Sequence, residues 1–140
     1  MIQVQSWLKT IDNSGARFVE CIKTLGGFNR KIAYPGDFIL VSIKQLRLMR
    51  KVKVGQIHLA LVTRTRKLTT YIDGSSSSSE NNIVLLINRK KRVLGTRFFG
   101  WVSRNLRRKK FLRLLLLCGR KVILIRKCKI NNILNLKFVI

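Results

Sequence analysis

The excess of positive charge is the feature that most constrains how this chain can fold. Its 140 residues carry 30 Lys and Arg against 5 Asp and Glu, a formal net charge of +25. Such an excess destabilises a compact state by self-repulsion unless a polyanion balances it. Yet 46% of the residues are hydrophobic and one is Pro, a composition too apolar for a disordered basic tail. The sequence therefore predicts a folded protein that binds a polyanion.

Short segments in which apolar and polar residues alternate predict a mainly β fold, and the length predicts one domain with a modest core. In the first segment Ile2, Val4 and Leu8 would share one face, whereas residues 38–43 are apolar on both faces, as in an enclosed strand. A sheet of only a few strands has no unpaired edge strand if it closes on itself, and this favours a small β-barrel. Strands are predicted at residues 2–10, 17–23, 38–43, 57–66 and 83–88, with turns at 12–15 and 35–37.

The segments between and after these strands are more polar or more basic. Residues 44–53 predict a projecting β-ribbon with a basic edge, and Ser75–Ser79 predicts a solvated loop tip. Residues 102–117 place apolar residues near helical spacing among many cations, which predicts one or two short basic helices. Residues 119–140 fit a strand, a helix or an arm that becomes ordered on its partner.

The residues that usually carry catalysis or bind metals are sparse. His58 is the only histidine, and it is expected to be a partly exposed strand residue. Cys21, Cys118 and Cys128 form no Cys-x-x-Cys pair and are expected to be buried thiols rather than disulfide or zinc ligands. With the few acids dispersed, we expect no enzyme, no metal site and no cofactor. The longest apolar run, residues 114–118, is far short of a membrane span.

The cations are densest at residues 47–53, 64–67, 89–92 and 104–113, in predicted turns, ribbon or helix faces rather than in core strands. Folded RNA presents backbone phosphates from several directions, and this distribution suits it better than a single duplex groove. We expect salt-sensitive binding with weak base specificity.

A family resemblance rests on short motifs that occur in the family's order and spacing. They are Met1-Ile2-Gln3, Asp12-Asn13-Ser14-Gly15-Ala16-Arg17, Cys21-Ile22-Lys23 with Leu25-Gly26-Gly27, Arg64-Thr65-Arg66-Lys67, Asp73-Gly74 and Gly95-Thr96-Arg97-Phe98-Phe99-Gly100. In residues 1–118 the chain resembles the universal large-subunit ribosomal protein L-fourteen family. This implies a five-stranded β-barrel with a projecting β-ribbon and two small C-terminal helices. Residues 119–140 would be a basic, hydrophobic C-terminal extension that binds lineage-specific rRNA or protein.

The resemblance also implies partners and contact residues. A member of this family is a structural constituent of the large subunit that binds large-subunit rRNA, adjoins the proteins called L-three and L-nineteen in bacteria, and reaches small-subunit rRNA at an intersubunit bridge. A ribosome-silencing factor docks in the same region. By position, the rRNA contacts would be Lys44, Arg47, Arg50, Lys51, Lys53, Arg64, Arg66, Lys67, Arg89 and Lys90. The intersubunit or partner contacts would be Thr96, Arg97, Phe99, Arg104, Arg107 and Lys110.

The chain departs from the family pattern at four positions. Trp101 stands where Pro is usual, Asn105 where Glu is usual, Ser79 where an aromatic residue is usual, and Leu116 where a small polar residue is usual. Trp101 removes a fixed φ and adds a large ring, so a different entry to the first small helix is expected.

Composition gives an expectation for the compartment. Alanine is rare while Ile, Leu, Lys and Asn are abundant, as in A/T-rich coding sequences, and the first residues match neither a signal nor a transit peptide. A mitochondrial ribosome with an organelle-encoded protein is favoured, with a plastid or the bacterial cytoplasm as alternatives. Two other functions remain open, a free-standing RNA chaperone on a similar barrel and a peripheral membrane protein using residues 102–140.

Overall fold

The computed structural model describes residues 1–47, 51–88, 92–103, 105–108 and 111, and these are mainly β-structure. The strands are β1 (Trp7–Thr10), β2 (Ala16–Thr24), β3 (Phe38–Leu46), β4 (Ile57–Arg64), β5 (Thr69–Thr70), β6 (Ser76–Ser77) and β7 (Ile83–Ile87), and the helix is α1 (Asn105–Arg108). Strands β1, β2, β3, β4 and β7 form a closed barrel in that order, and β5 pairs with β6 in a separate sheet. The predicted mainly β fold with a closed five-stranded barrel is confirmed.

The barrel closes through β1, which pairs with two strands of different direction. It runs antiparallel to β2, with Leu8 opposite Val19, and parallel to β7, with Thr10 opposite Val84. The 12–15 turn joins β1 to β2 as predicted, and Gly15 has a φ of 98°, which a glycine adopts without strain. Closure leaves none of these five strands with an unpaired edge.

The first strand is shorter than the alternating pattern predicts. Ile2 and Leu8 are buried, but Val4 is 49% exposed. The cause is a turn at residues 4–5, where Gln5 has a positive φ of 66° and the chain leaves the strand direction. Ile2 instead forms an isolated bridge with Ala33, so it joins the core from outside β1.

The barrel interior is filled by one side of each strand. Val19 and Cys21 of β2 meet Ile39, Val41 and other buried residues in a single hydrophobic cluster. Along β3 burial alternates, with Ile39, Val41 and Ile43 inside, while Phe38, Leu40 and Ser42 are half-buried. Residues 38–43 therefore lie in a strand of the barrel, as predicted, with one face buried in the interior and the other half-buried.

A second hydrophobic cluster lies on the outside of the barrel, over β4 and β7. All five residues of β7 are buried, and in β4 burial is continuous from Ala60 to Thr63. Ala60 and Val62 share one face, which packs in the interior, and Leu61 lies on the other. Leu61 packs with Phe98, Val102 and Leu106 from the segment that follows the barrel. This segment explains why β4 and β7 are covered on both faces.

Two predicted surface features differ from the structure. Residues 44–46 continue β3, where Gln45 and Leu46 pair with β2. Residues 51–52 form a bend and residues 54–55 a turn, and residues 48–50 lie outside the described part. Val52 is buried in the interior cluster, which holds this connection against the barrel. The described residues of 44–53 form no two-stranded ribbon of their own, and the separate two-stranded ribbon of the described part is β5–β6. Likewise the serine tract is no solvated tip, because Ser76–Ser77 form β6 and are half-buried.

Little of the predicted helical region is described. Residues 105–108 form α1, and Phe111 packs edge-on against Phe38 with the ring centroids 5.5 Å apart. The rest of the predicted helices, and the whole of residues 119–140, lie outside the described residues. Among the described helices, none has the length and apolarity to cross a membrane.

Candidate nucleic-acid interface

The cations that follow β3 lie on the surface near the 12–15 turn. Lys44 is half-exposed and its Nζ lies 2.8 Å from Glu20 Oε2, so this cation is partly neutralised. The Arg47 backbone N–H donates to the Gly15 carbonyl at 2.7 Å, and that of Lys51 donates to the Ser14 carbonyl at 2.9 Å. Backbone bonds therefore fix where these two cations leave the barrel.

Lys53 completes this group in the connection before β4. Its backbone N–H donates to Gln56 Oε1 at 3.1 Å, and its side chain is exposed, like those of Arg47 and Lys51. We call Arg47, Lys51 and Lys53 the β3–β4 cations. Exposed cations held by main-chain bonds present charge to a polyanion without giving up an existing ion pair.

The same turn also holds the loop that carries Thr96 and Arg97. Asn13 Oδ1 accepts hydrogen bonds from the backbone N–H groups of Thr96 at 2.8 Å and Arg97 at 3.3 Å, and Asn13 Nδ2 donates to Thr96 Oγ1 at 3.0 Å. Gly95 lies so close that an added Cβ would be 2.6 Å from Asp12 Cβ. The exposed side chains of Thr96 and Arg97 are thus positioned by Asn13.

One four-residue turn therefore connects the two predicted kinds of contact residue. Ser14 and Gly15 hold Lys51 and Arg47, and Asn13 holds Thr96 and Arg97. The sequence contains the motifs at residues 12–17 and 95–100, but no local pattern shows that they touch. Asn13 and Thr96, which join them, are 83 residues apart. Asn13 is the positioning residue that sequence reasoning missed.

Arg64 differs from the other predicted contacts because it is half-buried. Its guanidinium carbon lies 4.9 Å from the centroid of the Trp101 ring, a cation–π distance, and Nη1 donates to the Trp101 carbonyl at 3.3 Å. A Cβ added at Gly100 would be 3.3 Å from the same guanidinium. Arg64 thereby holds residues 100–101 against the end of β4, and the Trp101 ring is its aromatic partner.

A further set of bonds continues this attachment. The Ser103 backbone N–H donates to the Thr63 carbonyl at 3.3 Å. The Tyr71 hydroxyl lies 3.1 Å from Ser103 Oγ and 2.6 Å from Ser77 Oγ. The β5–β6 ribbon and the segment before α1 are therefore joined through Tyr71, a link that no sequence motif indicated.

Arg66 and Lys67 lie on the connection after β4. Both side chains are exposed. The Arg66 backbone N–H donates to Asn82 Oδ1 at 2.8 Å, and the Lys67 carbonyl accepts from Thr65 Oγ1 at 3.2 Å. These bonds fix the backbone and leave the cationic groups facing solvent.

The structure describes the remaining predicted contacts only in part. The side chain of Phe99 is 57% exposed beside Arg97. The backbone of Arg107 belongs to α1, but its side chain is outside the described part. Five predicted cations lie wholly outside the described residues, namely Arg50, Arg89, Lys90, Arg104 and Lys110.

The acids do little to neutralise these surfaces. Asp37 pairs with Arg30, and Asp73 Oδ1 accepts from Ser75 Oγ at 2.6 Å. Asp12 is buried, Ser14 Oγ donates to its Oδ1 at 2.8 Å, and burial raises the pKa of its carboxyl. Among the predicted contact cations, Lys44 forms an ion pair with Glu20.

The groups considered for catalysis are set apart from one another. His58 is partly exposed as predicted, its Nε2 lies 3.3 Å from Gln56 Oε1, and burial lowers its pKa, which keeps the ring neutral at pH 7. Cys21 is a buried thiol, as expected, and burial raises its pKa. Cys118 and Cys128 are outside the described part. No three His, Cys, Asp or Glu side chains in the described ranges are grouped to hold a metal ion.

Comparison with protein families identifies the family to which the chain belongs. Residues 1–122 match the family model described as Ribosomal protein L14p/L23e, and the chain therefore belongs to this family. It is a structural ribosomal protein of the large subunit and not an enzyme. The resemblance inferred from the motifs is confirmed.

Proposed function

We propose that this ribosomal protein binds large-subunit rRNA through its exposed cations and contacts small-subunit rRNA through the loop at residues 96–99. The observation that carries the proposal is the 12–15 turn, whose backbone and Asn13 side chain hold Arg47, Lys51 and Arg97 beside one another on the barrel. Exposed Arg and Lys side chains with few local acids bind backbone phosphates and release counterions. The barrel thereby acts as counter-charge between RNA segments.

Within this proposal the residues divide by role. The β3–β4 cations, with Arg66 and Lys67, bind large-subunit rRNA, as do Lys44, Arg50, Arg64, Arg89 and Lys90. Arg64 combines this with its contact to Trp101. The bridge surface consists of Thr96, Arg97, Phe99, Arg104, Arg107 and Lys110. Arg97 and Arg107 suit phosphate because a guanidinium binds it through two parallel hydrogen bonds.

The neighbouring proteins and the compartment complete the proposal. Proteins like L-three and L-nineteen would adjoin the barrel, and a ribosome-silencing factor would compete for the bridge surface. Residues 119–140 would form an extension beyond the domain of residues 1–118. The rarity of alanine supports a mitochondrial ribosome over a plastid or bacterial one.

Sedimentation of ribosomal subunits tests the first part of the proposal. The chain should migrate with large subunits in high salt, and loss of that association in salt would favour a free-standing RNA chaperone. Flotation with anionic liposomes after nuclease treatment would instead support a peripheral membrane protein. Replacing Arg47, Lys51 and Lys53 with Ala should reduce the salt dependence of RNA affinity by a log–log slope of about 0.7–0.9 per lost contact.

Subunit joining tests the bridge. Arg97→Ala together with Arg107→Ala should weaken joining while the large subunit still assembles. The matched control is Lys9→Ala, an exposed cation on β1 outside both surfaces. Unchanged joining of the double variant at physiological magnesium contradicts the bridge role, and impaired assembly of the large subunit reassigns these residues to large-subunit rRNA.

A further inference from the structure

A loop between β2 and β3 displays a phenylalanine that none of the predicted contacts includes. Phe28 is fully exposed, at the tip of the loop that follows Thr24. A single exposed apolar side chain is ordinary on a protein surface. Its surroundings set it apart, because Phe28 lines an open cleft of about 720 Å³ that is also lined by Lys23 and Lys31.

The loop is fixed at its base. Thr24 Oγ1 donates to the Arg30 carbonyl, and Arg30 Nε donates to the Ile32 carbonyl at 3.0 Å. Arg30 also pairs with Asp37, whose carboxylate accepts the Tyr34 backbone N–H at 2.9 Å. These contacts link the loop to the start of β3, so the position of Phe28 is built into the fold.

The tip requires backbone conformations that few residues adopt. Gly26 has a φ of 106°, and a Cβ there would lie 2.9 Å from Arg30 Nη1. Asn29, directly after Phe28, has a positive φ of 52°. Asparagine tolerates this conformation better than most residues. A glycine and an asparagine therefore stand at the two positions where the turn around Phe28 needs a positive φ.

The chemistry of the cleft fits an unpaired nucleotide. Lys23 and Lys31 are exposed cations for phosphates, and Gln3 and Asn29 carry amides that can bond to base edges. Val4 and Phe28 are the large apolar residues of the lining, which contains no acid. A protein partner would need a broader apolar surface, whereas one exposed ring between cations is the arrangement that binds single-stranded RNA.

We propose that Phe28 stacks on an unpaired RNA base while Lys23 and Lys31 bind the adjoining phosphates. The site would anchor a bulged or looped nucleotide of rRNA. This inference rests on the proposed function only in taking RNA as the ligand, because the cleft shares no residue with the surfaces proposed above. It adds a preference for single strands to a protein whose other contacts read the RNA backbone.

Three RNAs of equal length test the proposal with the full chain: an oligouridine strand, an abasic strand and a blunt duplex. Phe28→Leu keeps an apolar side chain but removes the aromatic face. It should lower affinity for oligouridine about 5- to 150-fold, the range expected for one base–aromatic stack. Affinity for the abasic strand and the duplex should not change. Phe28→Trp should restore oligouridine binding.

The matched control is Ile72→Ala, which shortens another almost fully exposed apolar side chain in a separate turn. It should leave all three affinities unchanged. If Phe28→Leu binds oligouridine as the wild type does while duplex binding persists, the inference is overturned and the proposed function stands. If the wild type binds none of the three RNAs, the proposed function itself fails. Contact of Phe28 with protein in the assembled subunit would overturn the inference in favour of a protein partner.

Discussion

The interior of the barrel and the cluster on its outer face are both well buried and share strands β4 and β7, but the outer cluster adds Phe98, Val102 and Leu106 from the segment that follows β7. The interior draws on all five barrel strands, with Ile2, Ala33 and Val52 added from connections. The outer cluster joins β4 and β7 to Phe98, Val102, Leu106 and Phe111. The interior therefore stabilises the barrel, whereas the outer cluster fixes a segment that follows it.

This difference bears on function because the outer cluster adjoins the proposed bridge surface. Phe98 is buried directly between the exposed Arg97 and Phe99. The Phe99 backbone N–H also donates to the Ile11 carbonyl at 3.0 Å, which attaches the loop to β1. Stability of the barrel and placement of the bridge residues should therefore respond to different substitutions.

Leu86→Ala should have the largest effect, because Leu86 is fully buried in the interior. Removing a buried leucine side chain leaves a cavity and lowers the free energy of unfolding by about 2–5 kcal/mol. Urea denaturation followed by circular dichroism measures this loss. Leu68→Ala, at a half-exposed leucine, is the control and should change stability by no more than about 0.5 kcal/mol. Equal losses would contradict the assignment of Leu86 to the core.

Leu106→Ala makes the corresponding change in the outer cluster. Leu106 is as buried as Leu86, but it lies in the four-residue helix α1 and beside an existing gap lined by Leu85 and Val102. The segment can detach without opening the barrel, so a smaller loss of about 1–3 kcal/mol is expected. Hydrogen exchange should quicken at residues 98–106 and not in β2 or β3. Uniform quickening would show that the two clusters unfold together.

The two clusters also differ in how far the sequence predicts them. The strands of the interior follow a two-residue period with turn residues between them, and both signals are local. The outer cluster depends on where Phe98, Val102 and Leu106 return to the barrel, and no local pattern encodes that. For this reason the sequence did not predict that β4 and β7 are buried on both faces.

The candidate interface divides in the same way. Cations and motifs are visible in the sequence, and the family they indicate is confirmed. The contact of Asn13 with Thr96 spans 83 residues, and Arg64 meets Trp101 across 37 residues. Such contacts arise only when the barrel closes. The turn at Gln5 was missed because a glutamine carries no signal for a positive φ.

Asn13→Ala should act where the barrel holds the loop that carries Thr96 and Arg97. The variant removes the side-chain oxygen that accepts from the Thr96 and Arg97 backbone N–H groups, at an expected cost of about 1 kcal/mol because the freed groups can bond to water. Amide exchange at Thr96 and Arg97 should quicken and subunit joining should weaken, while RNA binding by the β3–β4 cations persists. Asn81→Ala, at another exposed asparagine, should change none of these.

Asp12→Asn should have the smallest effect and should depend on pH. Asp12 forms an isolated bridge with Phe98, so it lies where the barrel meets the segment. Burial raises the pKa of its carboxyl, although the Ser14 hydroxyl and backbone N–H groups lower it in part. Between the ordinary value of 3.8 and the raised pKa, the folded chain therefore binds more protons than the unfolded chain.

Ionisation of Asp12 therefore lowers the stability of the wild type as pH rises through that window. The amide that replaces the carboxyl cannot ionise, so the variant avoids this loss. The free energy of unfolding of Asp12→Asn relative to wild type should increase as pH rises above 3.8 and become constant once the carboxyl is fully ionised. Parallel urea denaturation of the two proteins at each pH measures this difference in the free energy of unfolding. Other titrating groups, including His58, are the same in both proteins, so their contributions cancel. A difference that falls with rising pH would mean that the hydrogen bonds outweigh burial and that the charged carboxylate stabilises this junction.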